Sequence, residues 1–145
     1  MARPTQVDPR RMRVAAAITT VVLALVLVTP PPVSIALLIA QTAVFAISAL
    51  VSLKASPYSF VYARLVRPRI GPPVELEDAR PPRFAQAVGL GFAVLALLGF
   101  VLGAPDLGLI AVAFALVAAL LNASIGLCLG CELYLALHRL RLVRA

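Results

Sequence analysis

The sequence predicts an all-α fold: a four-helix transmembrane bundle, with a short interfacial helix in the connection between helices 2 and 3. Three observations carry that prediction. The first is composition. Of 145 residues, 62% are apolar and 13% charged, and the mean hydropathy is +1.02. A soluble domain averages roughly 45–50% apolar and about 25% charged. A single domain of this length cannot hide so much apolar surface from water, so the excess faces lipid or a partner. The second is a set of four long apolar runs, separated by breaks rich in proline and glycine. The third is charge placement. Every Lys and Arg lies before the first run, between the second and third, or after the fourth.

The net charge of +7 does not point to nucleic acid. There is no Trp and no aromatic-plus-basic stripe of the kind that stacks bases. Read with the positive-inside rule, the segregation places both termini and the long connection on the cytoplasmic side of a plasma (inner) membrane. The chain reads as one integral membrane domain, residues 1–145, with the lipid bilayer as its environment and spans at about 14–29, 33–53, 84–102 and 107–130.

Residues 1–13 are polar and basic, with Arg3, Arg10, Arg11 and Arg13. Asp8-Pro9 signals a helix start, Asp as cap and Pro at the first helical position. Residues 14–29 rise ~24 Å as a helix, short of a ~30 Å hydrocarbon core. Met12 and a snorkelling Arg13 extend the span. No A-x-A cleavage site follows, only Thr29-Pro30-Pro31-Pro32, so the span is expected to be retained. Three consecutive prolines end the helix and turn the chain.

In the second span, Gln41, Ser48 and Ser52 recur at steps of seven and four and so share a helical face. A polar stripe in lipid points into the bundle, where it hydrogen-bonds between helices. Ser56-Pro57 starts the interfacial helix. Tyr58, Phe60, Tyr62, Leu65 and Val66 mix there with Arg64, Arg67 and Arg69, an aromatic side and a basic side. Tyr58, Tyr62 and Tyr134 would form an aromatic belt on this face. Gly71-Pro72-Pro73 ends the helix. Glu75, Glu77 and Asp78 read as a solvated acidic turn near arginines. No cleft or ligand pattern beside them supports acid–base work.

The third span carries small residues at Ala85, Gly89, Ala93, Ala96, Gly99 and Gly103. Such a stripe lets helix backbones approach closely, within the chain or in a homodimer through helix 3. Gly103-Ala104-Pro105-Asp106 is a tight turn, with Asp106 as cap of the fourth span. Continued as one straight helix, residues 107–137 would measure ~46 Å against a ~30 Å core. The helix either tilts or changes direction near Gly126 or Gly130, and the two glycines favour the change.

That last segment holds the chemistry. Cys128 and Cys131 form a C-x-x-C, with Glu132 next. At 100° per residue, Ser124, Cys128, Cys131 and His138 fall in one sector, while Asn122, Gly126 and Gly130 lie on another face. The spacing permits a disulfide, or two bonds to one soft metal, and requires neither. Cys131 precedes Arg139 by ~12 Å of helix, which puts both thiols near the cytoplasmic interface. Three roles stay open: packing by a small apolar residue, a redox pair, or a metal site. The metal case has two ligands only, since Glu132 and His138 do not obviously converge on them; no metal and no cofactor are assigned. Glu132 opposes a thiolate or takes the proton of Cys128 one turn away. Cys128 is the expected faster thiol, with Gly130 leaving space beside it. In a reducing cytoplasm the resting pair is expected as two thiols.

The segment Gly126-Leu127-Cys128-Leu129-Gly130-Cys131-Glu132-Leu133-Tyr134 resembles the C-terminal G-x-C-x-G-C-x-x-Y signature of a bacterial membrane family, domain of unknown function 4395. Pro82-Arg83-Phe84-Ala85-Gln86-Ala87-Val88-Gly89 is similar to the start of that family's third span, and Ser56-Pro57 to its middle loop. The N-terminus departs: some relatives carry an asparagine and a further cysteine where this chain has Val7-Asp8-Pro9. Members of the family resemble partners of thioredoxin-like or sulfurtransferase proteins. The resemblance therefore implies thiol-redox or sulfur-transfer work at Cys128 and Cys131. The competing expectations are an accessory membrane subunit without chemistry, or a small-solute transporter component. Gln41, Ser48, Ser52 and Asn122 are few for a transport path.

Overall fold

The computed structural model describes residues 6–140. Arg3, Arg141 and Arg144 of the basic ends lie outside them. Four helices are long and apolar enough to cross a membrane: α1 (Pro9–Val28), α2 (Val33–Ala46, continued by a wider helical turn Ile47–Val51), and two whose ranges follow below. α1 begins as its sequence dictates. Asp8 caps it, its carboxylate accepting from Arg10 N at 3.0 Å, with Pro9 in the first turn.

The polar stripe of α2 is put to three separate uses. Gln41 is fully buried. Its Nε2 donates to Thr19 Oγ1 of α1 at 3.4 Å, and its Oε1 accepts from the Tyr58 hydroxyl. This is the interhelical bond expected of a polar residue in a span. Ser48 donates to Val44 O in its own helix at 2.8 Å. Ser52 lies past the helix end and caps the next turn through Lys54 N at 3.1 Å. Gln41 and Ser48 are both buried, as an inward-facing stripe requires, while Ser52, past the wide turn at 47–51, leaves that face.

The connection folds as one helical run over 57–70: α3 (Pro57–Val61), a wide turn Tyr62–Val66, and α4 (Arg67–Ile70), closed by Gly71 at φ +77°. Ser56 caps it through Tyr58 N at 3.3 Å. Phe60, Leu65, Arg64, Arg67 and Arg69 are exposed, as an interfacial helix requires. Tyr62 is not a belt residue. It is wholly buried, donates to Asp8 Oδ2, and carries the Arg11 guanidinium 5.5 Å from its ring centroid. Arg10 Nη2 also donates to Gly71 O at 3.0 Å. The connection is thus locked onto the start of α1.

A two-residue antiparallel ladder, β1 (Gln6–Val7) with β2 (Glu77–Asp78), adds to that lock and buries Val7 beside Leu53 and Ala79. Asp78 pairs with Arg80 at 2.7 Å, so the acidic turn does face an arginine.

Next come α5 (Arg80–Val101) and α6 (Pro105–Ile125), joined through Gly103 at φ +82°. The small-residue stripe of α5 is matched from within the chain. A Cβ on Gly89 would lie 2.9 Å from the Phe45 ring of α2, and one on Gly99 would lie 2.8 Å from Gly108 N of α6. Ala93 and Ala96 are buried between them in a core with Leu23, Leu38, Phe45 and Val112. Asp106 is not the cap of α6. Ala104 holds that position, and Asp106 sits in the first turn, where its charge complements the helix dipole.

Two arginines bind helix ends together. Arg83 Nε donates to Ala49 O at 2.7 Å and its Nη2 to Leu50 O at 3.2 Å. Arg13 Nη2 donates to Ala123 O and Ser124 O at 3.2 and 3.1 Å. Arg13 therefore does more than snorkel: it satisfies carbonyls left open at the C-terminus of α6. These contacts set the start of α1 and α5 and the end of α2 and α6 at one end of the bundle, here called the connector end. The opposite, turn end holds the two short turns.

Candidate functional site

α6 stops at Ile125 because Gly126 takes φ +75°, its N–H bonding back to Asn122 O at 3.1 Å. A left-handed residue just past a helix is normally glycine, which carries no Cβ penalty. After the break a new helix starts, α7 (Leu129–Arg139), with Cys128 as its N-cap. The change of direction thus falls at the first of the two expected glycines, and the fourth spanning helix ends five residues before the expected 130. Counting a continuous helix face from Ser124 through His138 fails for the same reason. Gly126, Leu127 and Cys128 lie outside helical geometry, so the phase restarts at Leu129.

The break also decides the thiol geometry. Cys128 is extended (φ −89°, ψ 101°), and its Sγ turns over the first turn of α7, accepting from Cys131 N at 3.2 Å. Cys128 and Cys131 are bonded as a disulfide, Cα to Cα 5.2 Å. The pair expected as two resting thiols is therefore oxidised in this structure. Both cysteines are half-buried.

The second glycine has a different role from the space once expected beside Cys128. A Cβ on Gly130 would lie 2.5 Å from Ala85 Cβ and 2.6 Å from Ala85 Cα. Gly130 is where α7 lies down on the first turns of α5. Tyr134 continues that contact against Phe84, ring centroids 5.6 Å apart, and His138 stacks on Tyr134. So His138 is held by an aromatic ring. Among the described residues, no three His, Cys, Asp or Glu side chains converge as a metal would need. Glu132 is exposed. Its N–H donates to Cys128 O at 3.0 Å, and its carboxylate makes no hydrogen bond among the described residues.

Two cavities meet at the disulfide. The smaller, of about 130 Å³, borders both cysteines and has charged and amide side chains in its wall, from Arg13, Glu77, Gln86 and Asn122, beside Met12, Pro82 and Ala85. Pro9, at the N-terminal departure from the resembling sequences, also lines it. The other, of about 290 Å³, runs between the spanning helices and is mainly apolar, with Phe45, Phe92, Phe114 and Leu133 among its walls. Cys128 borders both cavities, Cys131 only the smaller one. Gln86 and Asn122 stand with Cys128 at the boundary.

The family model described as Domain of unknown function (DUF4395) matches residues 7–139. The chain belongs to the DUF4395 family. No curated protein and no solved structure matches it. The family match in this DUF4395 protein runs from β1 to the end of α7, so it takes in the connector end and the cysteine segment together.

Sequence reasoning missed Arg13, Glu77, Gln86 and Asn122 as neighbours of the cysteines. A signal existed for two of them. Gln86 and Asn122 are amides within spanning segments, where polar side chains are rare and face the interior. For Glu77 there was none, because only the β1–β2 ladder brings it to the pocket. Asp8 lies one residue before Pro9 of that pocket's wall. Burial opposes its ionisation, but hydrogen bonds from Arg10 and Tyr62 outweigh that and hold the carboxyl below its usual range. Tyr62 moves the other way, pushed up by burial and by the adjacent carboxylate.

Proposed function

We propose that this DUF4395 protein is a multi-pass protein of the bacterial inner membrane, with both termini in the cytoplasm, whose Cys128–Cys131 pair exchanges electrons with a cytosolic thiol protein of thioredoxin-like or sulfurtransferase type. The observation that carries this reading is the C-x-x-C disulfide at the N-terminus of α7, half-exposed beside a pocket whose wall includes Arg13, Glu77, Gln86 and Asn122. A thiolate at a helix N-terminus is stabilised by the free N–H groups and the dipole. Cys131 N, 3.2 Å from Cys128 Sγ, is such a group.

The exchange follows from that geometry. A partner thiolate attacks Cys128 Sγ, the Cys128–Cys131 bond breaks, and Cys131 leaves as a thiolate. A second partner thiolate attacks the partner's own sulfur in the mixed disulfide. The partner then leaves oxidised, having passed on two electrons, and the pair is a dithiol. The exposed Arg64, Arg67 and Arg69 on the connector end favour an acidic partner, through a contact weakened by salt. The cytoplasmic assignment rests on the segregation of all thirteen basic residues.

The test is trapping from intact membranes. With Cys131→Ser, the Cys128 thiolate can attack an oxidised partner, the reverse of this exchange, and with no Cys131 to release that partner a mixed disulfide with a discrete cytosolic protein is expected to accumulate. Cys128→Ser should accumulate far less. A persulfide on Cys128 would assign sulfur transfer in place of electron transfer. Two slowly alkylated thiols that trap nothing would reduce the pair to a packing role.

A further inference from the structure

A dithiol that takes electrons from a soluble partner needs somewhere to pass them, and the structure holds a second approach to Cys128 that no soluble protein uses. The apolar cavity lies among the spanning helices, bounded by Thr19 of α1, Phe45 of α2, Phe92 of α5 and Phe114 of α6, and Cys128 lies in its wall. Its volume is about 290 Å³. An engineered apolar cavity of about 150 Å³ binds benzene, so this one has room for a substituted six-membered ring. Phe92 and Phe114 lie near-parallel, 6.2 Å between centroids, and offer flat apolar surface. Its polar side chains are few: Thr19 on α1, and Gln86 and Asn122, which stand with Cys128 where the two cavities meet. There Gln86 and Asn122 present side-chain amides that make no hydrogen bond among the described residues.

An acyl chain would fit the apolar part and leave those amide donors unused. A planar ring carrying carbonyl oxygens uses both parts. We propose that the cavity holds the head group of a membrane quinone, which accepts two electrons from the reduced Cys128–Cys131 pair. The proposal rests on the dithiol reading above. The Cys128 thiolate attacks the quinone ring, and Cys131 then attacks Cys128 Sγ. The disulfide reforms and the ring leaves with two electrons and two protons as the hydroquinone. One dithiol is oxidised and one quinone reduced, with nothing left over. Cys128 is the cysteine that touches the ring because it alone borders the cavity. Gln86 and Asn122 are its binding residues, donating to the carbonyl oxygens.

The experiment uses the whole protein in neutral phospholipid vesicles, reduced and freed of reductant, with decylubiquinone as probe. Thiol loss and hydroquinone formation are followed together. In parallel, oxidised glutathione is offered from the water side. Both oxidants are expected to restore the disulfide, with one hydroquinone formed per disulfide. Ala118→Phe, which fills the cavity wall, should slow the quinone reaction at least tenfold and the glutathione reaction far less. Restoration by glutathione alone would overturn the quinone proposal and leave the dithiol reading standing. Restoration by neither would overturn both. An equal loss of both reactions in folded Ala118→Phe protein would also remove the cavity as the route. Because the chain has no Trp, Phe92→Trp supplies a binding readout that does not depend on that variant. Its fluorescence should be quenched saturably by decylubiquinone, whereas Val101→Trp, at an exposed position of the turn end, should show only unsaturable quenching. Unsaturable quenching at both positions would mean that the cavity holds lipid.

Discussion

The two ends of the bundle are built differently. At the turn end, Gly103 and the proline turn reverse the chain in a few residues, and Val28, Val101 and Leu102 stand exposed around them. What holds that end is close backbone packing, with Gly99 of α5 against Gly108 of α6. At the connector end, side chains reach across long sequence distances. Tyr62 reaches Asp8, Arg13 reaches the last carbonyls of α6, and Arg83 those of α2. The difference follows from solvent. Inside hydrocarbon a backbone satisfies itself in helices and packing comes from small residues. At the interface the helix ends leave open carbonyls and N–H groups, and arginines and phenols close them. The site sits where the second kind of structure begins, so its geometry depends on polar contacts that the spans do not need.

The largest effect is expected where packing has no slack. Gly99→Val puts a side chain 2.8 Å from a backbone nitrogen, which cannot move aside as a side-chain tip can. Overpacking of this kind costs about 1–3 kcal/mol or more. Folded, monodisperse protein recovered in mild detergent should fall several-fold relative to Gly91→Val, whose position faces open space. Equal recovery would mean that the turn end is held by something other than this approach.

Gly130→Val should separate the two ends. It pushes α7 off Ala85 while leaving the four spanning helices in contact. The expected outcome is near-normal folded yield, with Cys128 and Cys131 losing their fixed geometry and the reduced pair alkylating faster. If yield collapses with it, α7 belongs to the bundle core and the contrast between the ends fails.

A third, smaller effect tests the connector lock. Tyr62→Phe removes the phenol hydroxyl from a buried carboxylate. A hydrogen bond to a charged group is worth about 1.5–3 kcal/mol. Thermal unfolding in detergent should move down by a few degrees. Protease nicking should rise first in the 57–79 connection and leave the spanning helices protected.

Much of this was legible in the sequence, for physical reasons that can be named. The spans announce themselves because lipid demands long apolar runs, and Asp8-Pro9 and Ser56-Pro57 cap helices by local rules that need no tertiary partner. The turn at Gly126 follows from an over-long helix meeting a glycine. The long-range contacts were hidden for the converse reason. Arg13 at a span end reads as a snorkelling cation, and nothing local shows that its partners lie 110 and 111 residues on. A ladder of two residues per strand has no periodicity to read. Tyr62 stands among exposed arginines and carries the composition of a belt residue, yet it is the most enclosed side chain of the connection. The cysteines were found, but their disposition was drawn on a continuous helix, and three non-helical residues reset it.

The finest contrast is between two carboxylates of the connector end, and acid separates them. Asp8 and Asp78 both have their carboxyls held below the usual range, Asp8 against the cost of burial by Arg10 and Tyr62, Asp78 by hydrogen bonding to Arg80 first. A carboxyl depressed in the folded state stabilises the fold fully above its unfolded value of about 3.9. That contribution is lost as pH falls through the lower folded value. Stability should therefore be flat in these terms from pH 7 to about 5 and fall below about 4. The two groups should share that loss unequally. Asp78 bonds only Arg80, two residues away, on the surface, and such pairs contribute about 0–1 kcal/mol. Asp8 is buried and joins α1 to a residue 54 positions distant, so its charge is tied to tertiary structure. Asp8→Asn keeps an oxygen to cap the helix at Arg10 N and removes the charge together with the second acceptor oxygen, which serves Tyr62 and Arg10 Nη2. It should lower stability at pH 7 and flatten the acid limb of the unfolding profile, while Asp78→Asn leaves that limb nearly unchanged. Identical acid limbs in the two variants would show that Asp8 is no more than a local cap, and that the connection is held on α1 by the ladder and by Tyr62 packing instead.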